Sequence, residues 1–272
     1  MRLLFPLAIL PFVACTDKSI PLGGGAPADA RLYADIYTWE CEDASAALYE
    51  GVFGYKLSLE YAPDALEDRD LPSSGCTRGL DIFPADAGSD GLDIPDVTSP
   101  DWATAESSGT LSRVTEGFYY DDVFDNRSSC TNVDELLSDG TALSNAGVFS
   151  GATAPVPGTL EDVELEGEVD EETGIPFGTE VTATWNASGW DSSWVQIRRE
   201  KDGALVESVT CTTDGQESFT VDDDVWSLLS DALEADVTNL YVAFQVDGGS
   251  TTSDGQEITT STRAMHVAVV QD

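Results

Sequence analysis

The chain has 272 residues, of which 51 are Asp or Glu and only 12 are Lys or Arg, so its formal net charge at pH 7 is -39. A surface this negative repels nucleic acid and anionic lipid headgroups, which excludes binding to either unless cations bridge the contact. The hydrophobic content of 41% suffices for a buried core and excludes a disordered chain. The acidity has two interpretations: a solvated surface adapted to saline surroundings, or a surface that binds divalent cations.

The first residues of the chain predict an export signal. Arg2 precedes an apolar run from Leu3 to Val13, which is too short to span a bilayer and has the length of the hydrophobic region of a signal peptide. The run leads into Phe12-Val13-Ala14-Cys15, which resembles the lipobox of bacterial lipoproteins, where small residues precede a cysteine that is lipidated. Phe12 departs from the family pattern, which usually has an aliphatic residue at that position.

The resemblance implies that residues 1–14 are a signal peptide and that Cys15, carrying acyl chains, becomes the mature N-terminus. It also implies localisation at the outer membrane, because Thr16 rather than an Asp follows the cysteine. The alternative is an ordinary signal peptide cleaved after an Ala, with Cys15 left as a spare thiol. If the chain is a lipoprotein, the sequence predicts that it contacts the membrane through the lipid at Cys15.

Residues 15–30 predict a flexible tether behind the anchor, because they are rich in Gly, Pro and Ala and have no apolar period. Residues 31–150 predict an N-terminal β-rich domain with long polar loops. Its clearest strands are those in which side chains alternate with period two. They are Arg31–Cys41, Val52–Tyr61 and Val114–Phe124, with a short strand at Leu80–Phe83 and short helical segments at Ala44–Tyr49 and Asn132–Leu137.

A Gly- and Pro-rich segment, 151–158, predicts a linker before a C-terminal domain over residues 158–272. Seven strands predict an antiparallel β-sandwich there, whose architecture resembles immunoglobulin-like or fibronectin-III-like modules of bacterial surface proteins. The predicted fold class is all-β, an antiparallel β-sandwich in two sandwich-like domains with one short helix. The seven strands are Val163–Val169, Thr179–Trp185, Val195–Arg199, Leu205–Cys211, Glu217–Val221, Asn239–Val246 and Thr259–Val270.

Two local signals in the C-terminal domain strongly predict a turn and a helix start. Asp202-Gly203 predicts a tight hairpin between two strands. Asp222 predicts a helix N-cap, and the apolar residues behind it follow a helical period. Those residues are Val225, Leu228, Leu229, Ala232 and Leu233.

The cysteines predict disulfides and an oxidising compartment. If Cys15 carries lipid, four cysteines remain, and these allow three pairings. Cys41 and Cys211 lie on alternating runs that predict inward-facing strand positions, whereas Cys76 and Cys130 lie in loop-like surroundings. Pairing like with like predicts Cys41 with Cys211 and Cys76 with Cys130.

The carboxylates suggest a calcium site, and the sequence predicts no other cofactor. Residues 86–93 begin like an EF-hand loop, but Gly88 and Val97 stand where the loop needs an oxygen ligand and a bidentate Glu. A looser carboxylate site therefore competes with a solvated acidic loop. Its candidate ligands are Asp86, Asp90, Asp93 and Asp96, and Glu164–Asp170 is a second acidic stretch.

Three tryptophans cluster where a loop should join two strands. Trp185 shares a face with apolar residues, which predicts a core position. Trp190 lies in the loop, and Trp194 lies on the face opposite to Val195 and Ile197, so both are candidates for exposure. Two exposed Trp rings beside Asp191 would suit sugar binding; the alternative is that the rings pack across a domain junction.

Sequence motifs for catalysis are missing. His266 is the only histidine and lies within a predicted strand without a partner motif, and the 51 carboxylates make any acidic pair uninformative. The sequence therefore predicts a non-catalytic cell-envelope lipoprotein, periplasmic or surface-exposed, with a structural or binding role. A module that binds carbohydrate or an envelope protein is the alternative, and a secreted hydrolase is a third.

Overall fold

Strands dominate the structure, which confirms the predicted all-β fold class. The computed structural model describes residues 28–38, 52–66, 72–79, 94–125, 138–169, 173–230 and 232–268. The strands are β1 (Ala28–Thr38), β2 (Val52–Leu66), β3 (Cys76–Arg78), β4 (Asp101–Ala103), β5 (Ser108–Thr110), β6 (Ser112–Thr115), β7 (Phe118–Asp125), β8 (Thr141–Ser144), β9 (Thr153–Ala154), β10 (Thr159–Gly167), β11 (Val181–Ser188), β12 (Ser192–Lys201), β13 (Ala204–Thr212), β14 (Ser218–Val221), β15 (Val237–Ser253) and β16 (Gln256–Ala268). One helical turn, α1, spans Asp223–Trp226, and a 3-10 turn spans Gly147–Phe149.

A nine-stranded sheet forms the centre of the fold, in the order β3-β13-β12-β15-β16-β1-β2-β7-β6. β1 runs parallel to β16, and the other neighbours pair antiparallel. β1, β2 and β7 come from the predicted N-terminal domain, whereas β12, β13, β15 and β16 come from the predicted C-terminal one. The sheet therefore crosses the boundary that the sequence predicts at 151–158.

Two smaller sheets pack on one face of the central sheet and form a single apolar core with it. The three-stranded sheet, β10-β11-β14, lies over β12 and β15, where Trp185 meets Phe244 edge-on with ring centroids 6.0 Å apart. The four-stranded sheet, β5-β4-β8-β9, lies over β2 and β7, where the Trp102 indole donates to Asp121 at 2.7 Å. This layering is the predicted sandwich.

The opposite face of the central sheet is also buried, and it is largely polar. Its buried side chains include an apolar cluster of Trp194, Tyr241, Ala243 and Met265. Around that cluster lie charged and amide groups such as Asp35, Arg263, Lys56 and Gln196. Alternation of apolar and polar residues normally marks a sheet with one solvated face, so the burial of this face is not readable from the pattern.

Several predicted strand positions are confirmed with shifted ends. β1 begins at Ala28, inside the predicted tether, because Ala30 is fully buried and pairs with Ile258 and Tyr61. β10 shows the predicted alternation, with Val163 and Leu165 buried between exposed carboxylate residues. The predicted strand Val114–Phe124 is in fact two, β6 and β7, because Gly117 takes a left-handed φ of 72° between them.

The predicted hairpin at Asp202-Gly203 is confirmed. Both residues have positive φ, 53° and 77°, as the favoured two-residue hairpin turn requires. A second turn of the same kind, Asp254-Gly255, joins β15 to β16 with φ of 51° and 82°. The predicted strands Asn239–Val246 and Thr259–Val270 stop short of this turn, and the segment between them is rich in Ser, Thr and Gly.

The predicted helix is shorter than its apolar period suggests. Asp222 is its N-cap, as predicted, and accepts from the amides of Asp224 and Val225 at 3.0 and 3.1 Å. The helix ends at Trp226, and Ala232 and Leu233 are exposed.

Tertiary hydrogen bonds account for the early end of the helix. The Arg199 guanidinium donates to the carbonyls of Ser230 and Leu233, each at 2.7 Å, and the Ser230 amide donates to the Glu207 carboxylate at 3.1 Å. These bonds satisfy backbone groups that a longer helix would have paired internally. Tertiary contacts thus override the local period.

The predicted disulfide pairing is wrong. Cys211 is bonded to Cys76, its direct partner across β13 and β3, with their Cα atoms 4.0 Å apart. Cys211 faces inward as predicted, but Cys76 starts a three-residue edge strand, which is too short for a sequence pattern to reveal. Cys41 and Cys130 lie outside the described residues, as does Cys15.

Other predictions also fall outside the described residues: the signal peptide and lipid anchor, the helical segments Ala44–Tyr49 and Asn132–Leu137, and the strand Leu80–Phe83. Among the residues that are described, no helix has the length and apolar character needed to cross a membrane.

Candidate functional site

A cleft of about 200 Å³ opens where the turn between β11 and β12 meets the central sheet. Its apolar wall consists of Trp185, Trp190 and Phe244. Its polar lining comes from Ser188 and from two short stretches, Asp191–Ser193 and Gln216–Glu217. Aromatic rings beside convergent polar groups are typical of a binding site for a small ligand.

Trp190 is held firmly in this cleft. Its indole N–H donates to the carbonyl of Thr159 at 2.8 Å, and its ring lies with its centroid 5.6 Å from that of Phe244. Gly158 makes room for the indole, because a Cβ at that position would lie 2.7 Å from the indole nitrogen. The half-buried ring is therefore fixed in place before any ligand arrives.

Asp191 is positioned by β15. Its amide donates to the carbonyl of Gln245 at 2.9 Å, and its carboxylate accepts from the amide of Asp247 at 2.8 Å. The residue is exposed. A fixed and exposed carboxylate beside an aromatic wall can accept hydrogen bonds from hydroxyl groups of a ligand.

Hydrogen bonds connect the remaining wall of the cleft to Thr213, the residue that follows β13. The hydroxyl groups of Ser193 and Thr213 are hydrogen-bonded, and the amide of Thr213 donates to the Ser193 carbonyl at 3.1 Å. Gln216 and Glu217 follow in the turn before β14 and are exposed. The cleft thus offers amide, hydroxyl and carboxylate groups around one aromatic surface.

The structure brings together only part of the predicted tryptophan site. Trp190 and Asp191 line the cleft, and Trp185 is buried as predicted. The predicted exposure of Trp194 is wrong: it lies on the opposite face of the sheet and is 6% exposed, and its indole donates to the carbonyl of Pro72 at 3.3 Å. The orientation was predicted correctly, but both faces of the sheet are covered.

Sequence reasoning missed Phe244, Gln216 and Glu217 as parts of the cleft. Phe244 arrives from β15, far along the chain, and its alternating strand pattern signals only burial. The two polar residues stand in a short turn that carries no motif. Neither contribution has a signal in the local sequence.

Of the predicted calcium ligands, only Asp96 lies within the described residues. It is exposed and has a left-handed φ of 62°. Asp86, Asp90 and Asp93 lie outside. In the described part of the chain, no group of three or more His, Cys, Asp or Glu side chains is arranged to hold a metal ion.

His266 lies within β16 and is 2% exposed. Burial lowers its pKa to about 4, because the charged imidazolium would lose its hydration there. The imidazole is therefore neutral at physiological pH, and its position inside the core keeps it away from the cleft.

Comparison of the chain with protein-family models and with curated proteins finds no match.

Proposed function

We propose that this protein is a non-catalytic, lipid-anchored binding protein of the bacterial outer membrane, whose cleft beside Trp190 binds a sugar ring of an envelope glycan. The lipobox-like ending at Cys15 supports the anchor. The fixed half-buried indole next to the exposed Asp191 carboxylate is the observation that carries the binding role.

The dimensions of the cleft limit what it can hold. Its volume of about 200 Å³ lies below the range of about 300–1,000 Å³ that is usual for larger ligands. One sugar ring, or one polar side chain of a partner protein, is the class of occupant that fits. A sugar ring presents an apolar C–H face to an indole and hydroxyl groups to a carboxylate, which matches Trp190 and Asp191.

Binding is tested with a soluble form that begins at Thr16. This start omits Cys15 but keeps Ala28–Ala30, which belong to β1 and would be lost if the chain began after the predicted tether. We expect the soluble protein to bind one class of envelope glycan in a glycan array and in calorimetry. Failure to bind any glycan, together with capture of one defined envelope protein, would favour the protein-binding alternative.

Variants localise the binding. Trp190→Ala should abolish it and Trp190→Phe should weaken it, because the smaller ring still stacks. Asp191→Asn keeps an oxygen that can accept the Asp247 amide but removes the charge, so it tests the carboxylate without opening the turn. Trp194→Phe is the matched control, since that ring lies on the other face of the sheet. Binding that survives Trp190→Ala would place the ligand elsewhere.

The hydrolase alternative has one observation in its favour, because Asp191 and Glu217 both line the cleft. Incubation with the bound glycan should release no reducing ends. Release that disappears in Glu217→Gln would replace the binding role by hydrolysis.

The anchor is tested separately by intact mass and fractionation. The wild-type protein should carry acyl chains and sediment with membranes, and Cys15→Ser should release it. An unmodified, soluble wild-type product would support the alternative of a plain signal peptide.

A further inference from the structure

A cluster of oxygen atoms lies where the paired strands β15 and β16 extend beyond the end of β12. Gln245 and Asp247 are two residues apart on β15 and so point to the same face, and the Gln245 amide nitrogen donates to the Asp247 carboxylate at 2.6 Å. Ser261 is the direct partner of Asp247 across the pair of strands. Side chains directly opposite each other on one face are neighbours, so the three groups form one patch.

Two oxygen atoms in this patch are buried and have no hydrogen-bond partner within the described part of the chain. They are Oε1 of Gln245 and Oγ of Ser261, on side chains that are 1% and 4% exposed. Oε1 belongs to the same amide group that contacts Asp247, which places it beside that carboxylate. Buried polar atoms are normally satisfied, so the described residues leave both atoms available to a bound ligand.

Two carboxylates border the same patch from the solvent side. Asp247 and Asp191 are both exposed, and the amide of Asp247 donates to the Asp191 carboxylate. Among the described residues, neither carboxylate forms an ion pair with a Lys or Arg side chain. The Arg263 guanidinium, opposite Gln245, is already bonded to Asp35.

We propose that Asp247, Gln245 and Ser261, with Asp191 at the rim, form a binding site for a hard divalent cation of the Ca²⁺ type. The donors are carboxylate, amide and hydroxyl oxygens, which suit Ca²⁺, with water completing the shell, and do not suit metals that prefer sulfur or nitrogen. A water molecule alone would satisfy the buried oxygens but would leave the two carboxylates uncompensated. The site shares Asp191 with the glycan cleft, but its test does not depend on glycan binding, because it needs only the metal.

Calorimetric titration of the chelator-treated soluble protein with CaCl₂ tests the site. Sodium chloride at 1 M suppresses the general attraction of the acidic surface for cations. We expect one stoichiometric Ca²⁺ in the wild type and at least ten-fold weaker binding in Asp247→Asn. Asp254→Asn is the matched control: it makes the same charge change in the same hairpin, at an exposed left-handed position that Asn tolerates, and should bind like the wild type.

Ser261→Ala provides a second and milder variant. It should weaken Ca²⁺ binding several-fold without lowering the melting temperature of the metal-free protein, because it removes a hydroxyl group that has no partner to lose. If Asp247→Asn does not fold, this variant decides, and unchanged affinity overturns the proposal.

Two other results also overturn the proposal. One is the absence of stoichiometric binding to the wild type. The other is equal affinity in Asp247→Asn and Asp254→Asn with loss of binding in Asp86→Asn or Asp90→Asn, which would place the ion in the acidic loop.

Discussion

Asp35 and Arg263 form a buried ion pair across the parallel strands β1 and β16. The guanidinium donates two hydrogen bonds to the carboxylate, one of them from Nη2 at 2.6 Å, and the two side chains are 3% and 1% exposed. The ring of Tyr33 lies under the guanidinium, with its centroid 4.3 Å away. The pair joins residues 228 positions apart and so ties the first described strand to the last.

Breaking this pair on one side should destabilise the fold strongly. Asp35→Asn leaves the Arg263 charge buried without its counterion, which typically costs about 3–5 kcal/mol. Urea unfolding of the variant measures the loss. Lys201→Ala is the control, since the ion pair between Lys201 and Glu234 is exposed and should contribute little to the free energy of unfolding.

A double replacement separates the cost of an orphaned charge from the worth of the pair. Asp35→Leu with Arg263→Met removes both charges, and its free energy of unfolding should lie closer to that of the wild type than that of Asp35→Asn does. A single variant as stable as the wild type would contradict the role of the pair.

The disulfides provide a second prediction. Peptide mapping without reduction should find Cys76 joined to Cys211 and, by elimination if Cys15 is lipidated, Cys41 joined to Cys130. The Cys76–Cys211 bond closes a loop of 135 residues, for which the chain-entropy model gives about 5 kcal/mol. Unfolding of Cys76→Ser with Cys211→Ser should show a loss of that order. A Cys41–Cys211 peptide would contradict the observed strand pairing.

The sequence predicted those parts of the fold whose signals are local and strong. The alternation in β10, the Asp202-Gly203 turn and the Asp222 cap each depend on a few neighbouring residues, and all three are confirmed. Short edge strands such as β3 lack enough residues for a period. The disulfide error at Cys76 has this cause.

Sequence reasoning found only those residues of the candidate site that lie close together along the chain. Trp190 and Asp191 adjoin in the sequence and were found together, but Phe244 and Asp247 reach the same place through strand pairing. The orientation of Trp194 followed from alternation, whereas its burial depends on what covers the second face of the sheet. Such coverage is a tertiary property that no single-strand pattern encodes.

His266 gives a prediction for the dependence of stability on pH. Its pKa is about 4 in the folded protein and about 6.5 in an unfolded chain, so the unfolded state binds a proton first as the pH falls. The His266 contribution should be absent above pH 6.5 and should destabilise the fold progressively down to about pH 4. At about 1.4 kcal/mol per pH unit, the loss reaches about 3 kcal/mol.

Carboxylates titrate in part of the same range, so the His266 effect is read as a difference. The free energy of unfolding is measured from pH 8 to pH 4 for the wild type and for His266→Gln. The wild type should lose stability relative to the variant below about pH 6.5. Parallel curves would mean that the imidazole becomes protonated inside the fold.

The net charge leads to the last prediction, a melting temperature that rises with salt. The screening length is about 30 Å in 0.01 M salt and about 3 Å in 1 M salt, so self-repulsion at a net charge of -39 is felt across the protein only in the dilute case. Glu164 and Glu166 contribute an identifiable part of this self-repulsion. Both are exposed on one face of β10, and their partners on β11 are Thr184 and Thr182, which carry no opposite charge.

Replacing Glu164 and Glu166 together by Gln should therefore raise the melting temperature at 0.01 M NaCl and reduce its slope with salt. Glu234→Gln is the control, with its effect compared per charge removed, because that carboxylate is hydrogen-bonded to Lys201 and its removal should give no such gain. Thermal scans from 0.01 to 1 M NaCl measure both. A wild-type melting temperature that does not change with salt would mean that the carboxylates are too dispersed or too well paired to repel one another. Equal effects per charge removed in the two variants would mean that repulsion is spread over the whole surface rather than concentrated on β10.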